Sequence, residues 1–167
     1  DIDLIRTFPN TRVSFSINTV DENFRKEMDK AVSIERRLAA MKELYDNGIQ
    51  TVCQIAPIFP GITNVKAIIE AVRDHCNLIW LENLNLRGDY KVRILEWLHE
   101  NHPELDELYH KIYSKQDCSY WTELDAELRA YAVAEGFPYV RDDDSKRSDF
   151  GELPIIANYF YHEEIKK

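Results

Sequence analysis

IQTVCQIAPIF, residues 49–59, follows a glycine and runs into a Pro-Gly turn. Apolar and β-branched residues dominate it with little polar alternation, the composition of a strand covered on both faces, and such strands belong to parallel sheets flanked by helices. On its N-terminal side Ser33 is placed to cap a helix carrying Ile34, Leu38, Met41, Leu44 and Tyr45 on one face, with Asn47-Gly48 as its left-handed stop. Further upstream, RVSFSINT (12–19) alternates Val13, Phe15 and Ile17 with polar residues and predicts a strand of about six residues. The polar segment VDENFRKEMDKAV (20–32) interrupts the pattern, and DIDLIRTF (1–8) reads as the last turns of a helix that began earlier. On the C-terminal side PGITN (60–64) turns the chain. Val65, Ile68, Ile69 and Val72 then fall at helical spacing up to about His75, and NLIWLENLNLR (77–87) forms a third strand. Strand, helix, strand, helix, strand at this spacing means parallel βα units with right-handed crossovers.

Beyond Gly88 the rhythm changes. Asp89 to Asn101 reads as a helix, Pro103 opens another through Tyr113, and Trp121, Leu124, Leu128 and Tyr131 mark a longer one stopping at Gly136. PYV (138–140) has the makings of a last short strand. RDDDSKRSDFGE (141–152) reads as a mobile polar loop, and LPIIANYFYH (153–162) as a segment docking on the body. The expected fold is α/β: a partial (β/α) TIM-like barrel of three parallel strands in residues 1–88, and a mainly helical C-terminal extension, residues 89–167, packed on the same body.

At 167 residues there is room for one ordinary domain. A 44 % hydrophobic and 31 % charged composition, with no long apolar run and no basic leader before an apolar stretch, points to a soluble, cytoplasmic protein rather than a membrane or secreted one. A net charge of -9 disfavours nucleic acid as a partner. Cys53, Cys76 and Cys118 are too far apart for a metal knuckle and odd in number for a disulfide framework, so reduced, mostly buried thiols are expected.

Ligands of parallel β/α folds gather at the C-terminal ends of the strands. The first such end, Ser16-Ile17-Asn18-Thr19, offers hydroxyl and amide groups suited to a ribose, although Ser and Asn also favour strand ends for local turn bonding. At the second, Ile58 and the Pro60-Gly61 turn make a flat apolar wall, of use beneath an adenine ring. At the third, Leu81-Glu82-Asn83 with Asn85 and Arg87 closes an apolar strand in a polar cluster. Arg37, early in the helix after the first strand, can meet a carboxylate bidentately, or be merely solvated.

VSFSINT (13–19), a helix with RRL (36–38), a Gly-Ile step into a strand ending API-FPG (56–61), and LENLNLRG (81–88) together resemble the fourth to sixth βα units of radical S-adenosylmethionine (radical SAM) enzymes. The closest flavour is the spore photoproduct lyase-like group. The resemblance covers Asp1 to Gly88, about half the chain. It implies that Ser16 and Asn18 contact the ribose of the cofactor, that Arg37 meets the methionyl carboxylate, and that Leu81 and Glu82 finish the adenine pocket. Ile58 falls where the family packs the adenine, with Ala56 and Pro60 standing in place of the family's glycines.

The same resemblance implies a 4Fe-4S cluster held by a CxxxCxxC loop, and no such triplet occurs here. This chain is therefore expected to be the C-terminal half of a barrel whose missing N-terminal half holds the iron. The parent would cleave S-adenosylmethionine reductively, and its 5′-deoxyadenosyl radical would act on an unknown substrate, while this chain alone, with no catalytic or metal-ligating residue assigned, would be inactive. One rival reading is a stand-alone α/β domain that binds a ligand or partner without chemistry. Another is a different barrel enzyme using Glu82 or Lys42, weakened by Lys42 lying on the polar face of its helix and by the lack of a Gly-rich phosphate loop.

Overall fold

The structure, a computed structural model, describes residues 1–28, 30–141 and 153–160. Five strands form one parallel sheet: β1 (Arg12–Ser16), β2 (Gln50–Ile58), β3 (Leu78–Asn83), β4 (Tyr139–Arg141) and β5 (Ile155–Tyr159), in the order β1-β2-β3-β5-β4. The helices among the described residues are α1 (Ile2–Arg6), α2 (Glu22–Met28), α3 (Ile34–Asp46), α4 (Val65–Val72), α5 (Asp89–Asn101), α6 (Asp106–Tyr113) and α7 (Ser119–Glu135). An α/β body with a parallel sheet of this kind is a partial TIM-like barrel, as the βα rhythm predicts.

Local chemistry sets most of the boundaries. Ser33 caps α3 by accepting from the Arg36 amide at 3.4 Å, and Asn64 caps α4 by accepting from the Ala67 amide at 3.0 Å. Gly48 takes φ +74° just past α3, the left-handed conformation that releases the chain into β2. Gly61 takes φ +74° as well, in the turn after β2, and its amide donates to the Tyr120 hydroxyl at 3.1 Å.

The main core lies between the sheet and α3, α4 and α7. Cys53 and Ile55 of β2, Ile79 and Leu81 of β3 and Ile156 of β5 meet Met41, Val65, Ile68, Ile69, Val72, Leu128 and Ala132 from the helices. A second apolar cluster sits beyond the strand ends, where Phe24 of α2 packs edge-on against Phe59 and Trp97, joined by Leu84, Leu86, Leu98 and Tyr109.

Two elements differ from the sequence reading. The segment after β1, expected only to break the pattern, contains α2, whose inward face is Phe24, a buried Arg25 and Met28; two apolar residues in seven, a single i, i+4 pair, are too short a stripe to read as a period. The extension is not only helical. PIIANY enters the sheet as β5, pairing with β3 on one side and β4 on the other, so the sheet has five strands rather than three. β5 satisfies the backbone groups along β3 that would otherwise form a bare edge. Of the segment read as a mobile loop, Arg141 ends β4 and residues 142–152 lie outside the described residues.

Candidate functional site

The parallel register lays out two distinct faces. Phe15, Cys53, Ile79 and Ile156 are register neighbours facing the helices, and the residues on either side of them face the other way. On that opposite face Val52, Leu78, Ile155 and Ala157 form a small apolar cluster with Trp80 and Val140, to which no described helix contributes. Toward the strand ends the face turns polar. Ser16, Gln54, Trp80 and Ala157 stand side by side, followed by Glu82 beside Tyr159, with the Trp80 and Tyr159 rings 5.7 Å apart. This gradient, apolar below and hydroxyl, amide, carboxylate and aromatic above, suits a ligand at the C-terminal mouth of a β/α barrel.

The loops at this mouth are stapled together. Arg37 reaches from α3 to the end of β1, donating from Nη1 to the Ser16 carbonyl at 2.9 Å and from Nε to the Val32 carbonyl at 3.0 Å. Thr63 Oγ1 donates to the Asn18 carbonyl at 3.1 Å and accepts from the Phe59 amide at 3.0 Å, tying the β1 and β2 loops. Glu22 bridges Arg25 at 2.7 Å and accepts from the Ile34 amide, while Arg25 donates to the Ala31 carbonyl at 2.6 Å. That Arg25 partner, with the Ile34 amide, holds the Glu22 carboxyl below the usual range.

Of the residues singled out from sequence, Ser16, Asn18, Arg37 and Glu82 lie at the C-terminal ends of β1 and β3 or beside them, and of these Arg37 contacts the Ser16 backbone. Ser16 and Glu82 lie on the open face, Asn18 lies half-buried just past β1, and Arg37 lies against the Ser16 backbone. Ile58 and Leu81 are fully buried in the helix-side core, so a ligand on the open face can meet only their backbone. Lys42 pairs with Asp46 on the exposed side of α3, at 2.8 Å. Gln54, Trp80 and Tyr159 escaped the sequence reading. Period-two counting from Ser16 across β2 and β3 would have reached the first two, whereas Tyr159 needs knowledge that β5 pairs with β3.

The cysteines do not form a cluster site. Cys53 and Cys76 are 0 % and 2 % exposed within the helix-side core, Cys118 stands at the start of α7, and none of the three is in a disulfide. Burial pushes the Cys53 thiol well up and the Cys76 thiol up to about 11, the opposite of what a metal-ligating thiolate needs. Among the described residues, no group of three or more His, Cys, Asp or Glu side chains is arranged to hold a metal ion. A 4Fe-4S cluster therefore does not fit the ligands present.

The fold defines a partial parallel β/α barrel whose strand ends carry polar and aromatic side chains. Among known families, the model of the radical SAM superfamily matches residues 1–74, from α1 through α4. Intact members of that superfamily use S-adenosylmethionine and a 4Fe-4S cluster. Among curated proteins, the uncharacterized protein MJ0683 of Methanocaldococcus jannaschii is 33 % identical to this chain over 109 residues, which make up 65 % of this chain and 41 % of that protein. The similar region thus spans about two fifths of the relative's length. No solved structure matches the chain. No helix of the described residues is long and apolar enough to cross a membrane.

Proposed function

We propose that this chain forms the C-terminal, nucleoside-holding part of a radical SAM barrel, nearest in flavour to the spore photoproduct lyase-like group, and that the parent cleaves S-adenosylmethionine reductively to act on an unidentified substrate. The observation that carries the reading is the placement of Ser16, Asn18 and Arg37 at the end of β1 and of Glu82 at the end of β3, two strand ends on the same edge of one parallel sheet, within and beside the segment the superfamily model matches. Bound S-adenosylmethionine supplies the source of the 5′-deoxyadenosyl radical. The residues of this chain hold and orient it: Ser16 and Asn18 by hydrogen bonds to the ribose, and Ile58, Leu81 and Glu82 by backbone and strand-end contacts to the adenine. Arg37 is the carboxylate candidate, and a carboxylate has to share it with the Ser16 and Val32 carbonyls. The iron ligands belong to residues outside this chain, in an N-terminal barrel half that is its principal partner. Residues 1–88 then serve the cofactor, while residues 89–167 complete the body, in the cytoplasm and without nucleic acid.

Two measurements test this. The reading frame upstream of the Asp1 codon is expected to encode CxxxCxxC; a frame without it overturns the assignment to a split or trimmed barrel. The isolated chain, incubated anaerobically with iron and sulfide, is expected to gain no cluster absorbance and to bind S-adenosylmethionine more weakly than micromolar. Calorimetric affinity in the low micromolar range would show that this chain holds the cofactor without iron, and would favour the rival reading of a stand-alone binding domain.

A further inference from the structure

A cleft of about 280 Å³ lies between the end of β3 with the loop following it, from Asn83 to Arg87, and the turn joining α6 to α7. Its floor is apolar and rigid. Leu84 and Leu86 come from the strand-end loop, Ile112 from α6, and Trp121, only 2 % exposed, from α7. The side wall is fixed by Tyr113, whose hydroxyl donates to the Leu84 carbonyl at 2.8 Å and so ties α6 to the β3 loop. A floor of this kind accepts a flat ring, and the volume is near the lower end for small-molecule sites, enough for one or two fused rings.

The rim decides the charge of the occupant. Two side chains of opposite sign stand there, Asp117 and Arg87. Asp117 is already matched: Oδ1 accepts from the Ser119 amide at 2.8 Å, and Oδ2 lies 3.4 Å from Lys111 Nζ. Its carboxyl is held below the usual range, chiefly by that backbone amide. Arg87 is exposed and has neither hydrogen bond nor ion pair among the described residues. Asn85 and Gln116 add amides that can both donate and accept, and Gln116 adopts φ +55°, a left-handed conformation unusual outside glycine.

We propose that this cleft binds a small planar ring acid, its ring against the apolar floor and its carboxylate paired with the Arg87 guanidinium. Among the described residues the uncompensated charge at the rim is positive, a guanidinium matches a carboxylate bidentately, and the flanking Asn85 and Gln116 are neutral amides suited to ring nitrogens and carbonyls. The site is distinct from the residues of the S-adenosylmethionine reading, since none of Ser16, Asn18, Arg37, Ile58, Leu81 and Glu82 lines it.

The molecule carries its own reporter. Cys118 lines the cleft and is half-buried, while Cys53 and Cys76 are sealed in the core, so the alkylation rate of Cys118 reads cleft occupancy. Quinoline-2-carboxylate and its uncharged analogue quinoline-2-carboxamide serve as probes, with iodoacetamide modification of the full chain followed by peptide mass spectrometry. The acid at about 5 mM is expected to slow Cys118 alkylation by about tenfold and the amide by less than about twofold, as occupancy of a single site predicts. Arg87→Gln, at an exposed position the fold does not depend on, is expected to abolish that difference. No slowing by either probe overturns the proposal. So does equal or better protection by the amide, or selectivity that survives Arg87→Gln. The assay uses neither iron nor S-adenosylmethionine, so its failure leaves the radical SAM reading untouched.

Discussion

Cys53 and Cys76 show how much of this protein's residue chemistry follows from burial alone. Both lie in the helix-side core, and desolvation of the thiolate, with the neighbouring Cys76 adding to the effect at Cys53, holds both protons tightly. A thiol whose folded pKa is raised contributes stability that is complete below its ordinary value of 9.0 and is lost as pH climbs to about 11, because the unfolded chain releases the proton first. Chemical denaturation across that window is expected to show falling stability, with a shallower fall in Cys76→Ala; identical slopes would refute the assignment. The burial of these thiols was legible in the sequence as three scattered cysteines among apolar neighbours. The partners of Arg37 were not, since which carbonyls a guanidinium reaches depends on how α3 lies over β1.

At the scale of elements, α3 and α4 are the most predictable parts of the chain because cap, apolar stripe and stop all agree. Val65, Ile68, Ile69 and Val72 of α4 are all buried, so Ile69→Ala is expected to cost about 3 kcal/mol, measured by urea denaturation. Asn64→Ala removes the cap on the Ala67 amide and is expected to cost about 1 kcal/mol, with Asn64→Asp restoring most of it. A loss at Asn64 equal to that at Ile69 would mean that Asn64 does more than cap. α2 stayed hidden for the converse reason: it is held by the Phe24 ring contacts and by Glu22 and Arg25 reaching the Ile34 amide and the Ala31 carbonyl, contacts made outside the helix that leave no stripe in the sequence.

At the scale of the molecule, the decisive fact is that residues from beyond position 150 lie inside the sheet rather than on it. β5 separates β3 from β4, and Ala157 is fully buried between Trp80 and Val140 in the register. Ala157→Asp would place a charge where no partner is available, and is expected to lower stability by about 3 kcal/mol or more, enough to shift the thermal midpoint by several degrees. Near-native stability in that variant would show that the five-stranded sheet does not persist in solution. The same insertion brings Tyr159 beside Glu82 and Trp80, so the C-terminal region furnishes part of the open-face mouth.

The sequence by itself determined the βα rhythm, the ends of α3, α4 and α7, and the absence of a cysteine triplet, because caps, glycine stops and apolar periods act within a few residues of themselves. It also marked Ser16, Asn18, Arg37 and Glu82 as worth attention, since strand ends are where parallel folds bind ligands. Only the tertiary structure decided that β5 pairs with β3, that Ile58 and Leu81 turn their side chains away from the mouth while Gln54, Trp80 and Tyr159 turn toward it, and that Arg87 faces a cleft built by α6 and α7. Those are matters of register and packing between segments far apart in the chain, and no local pattern encodes which distant strand will satisfy an open edge.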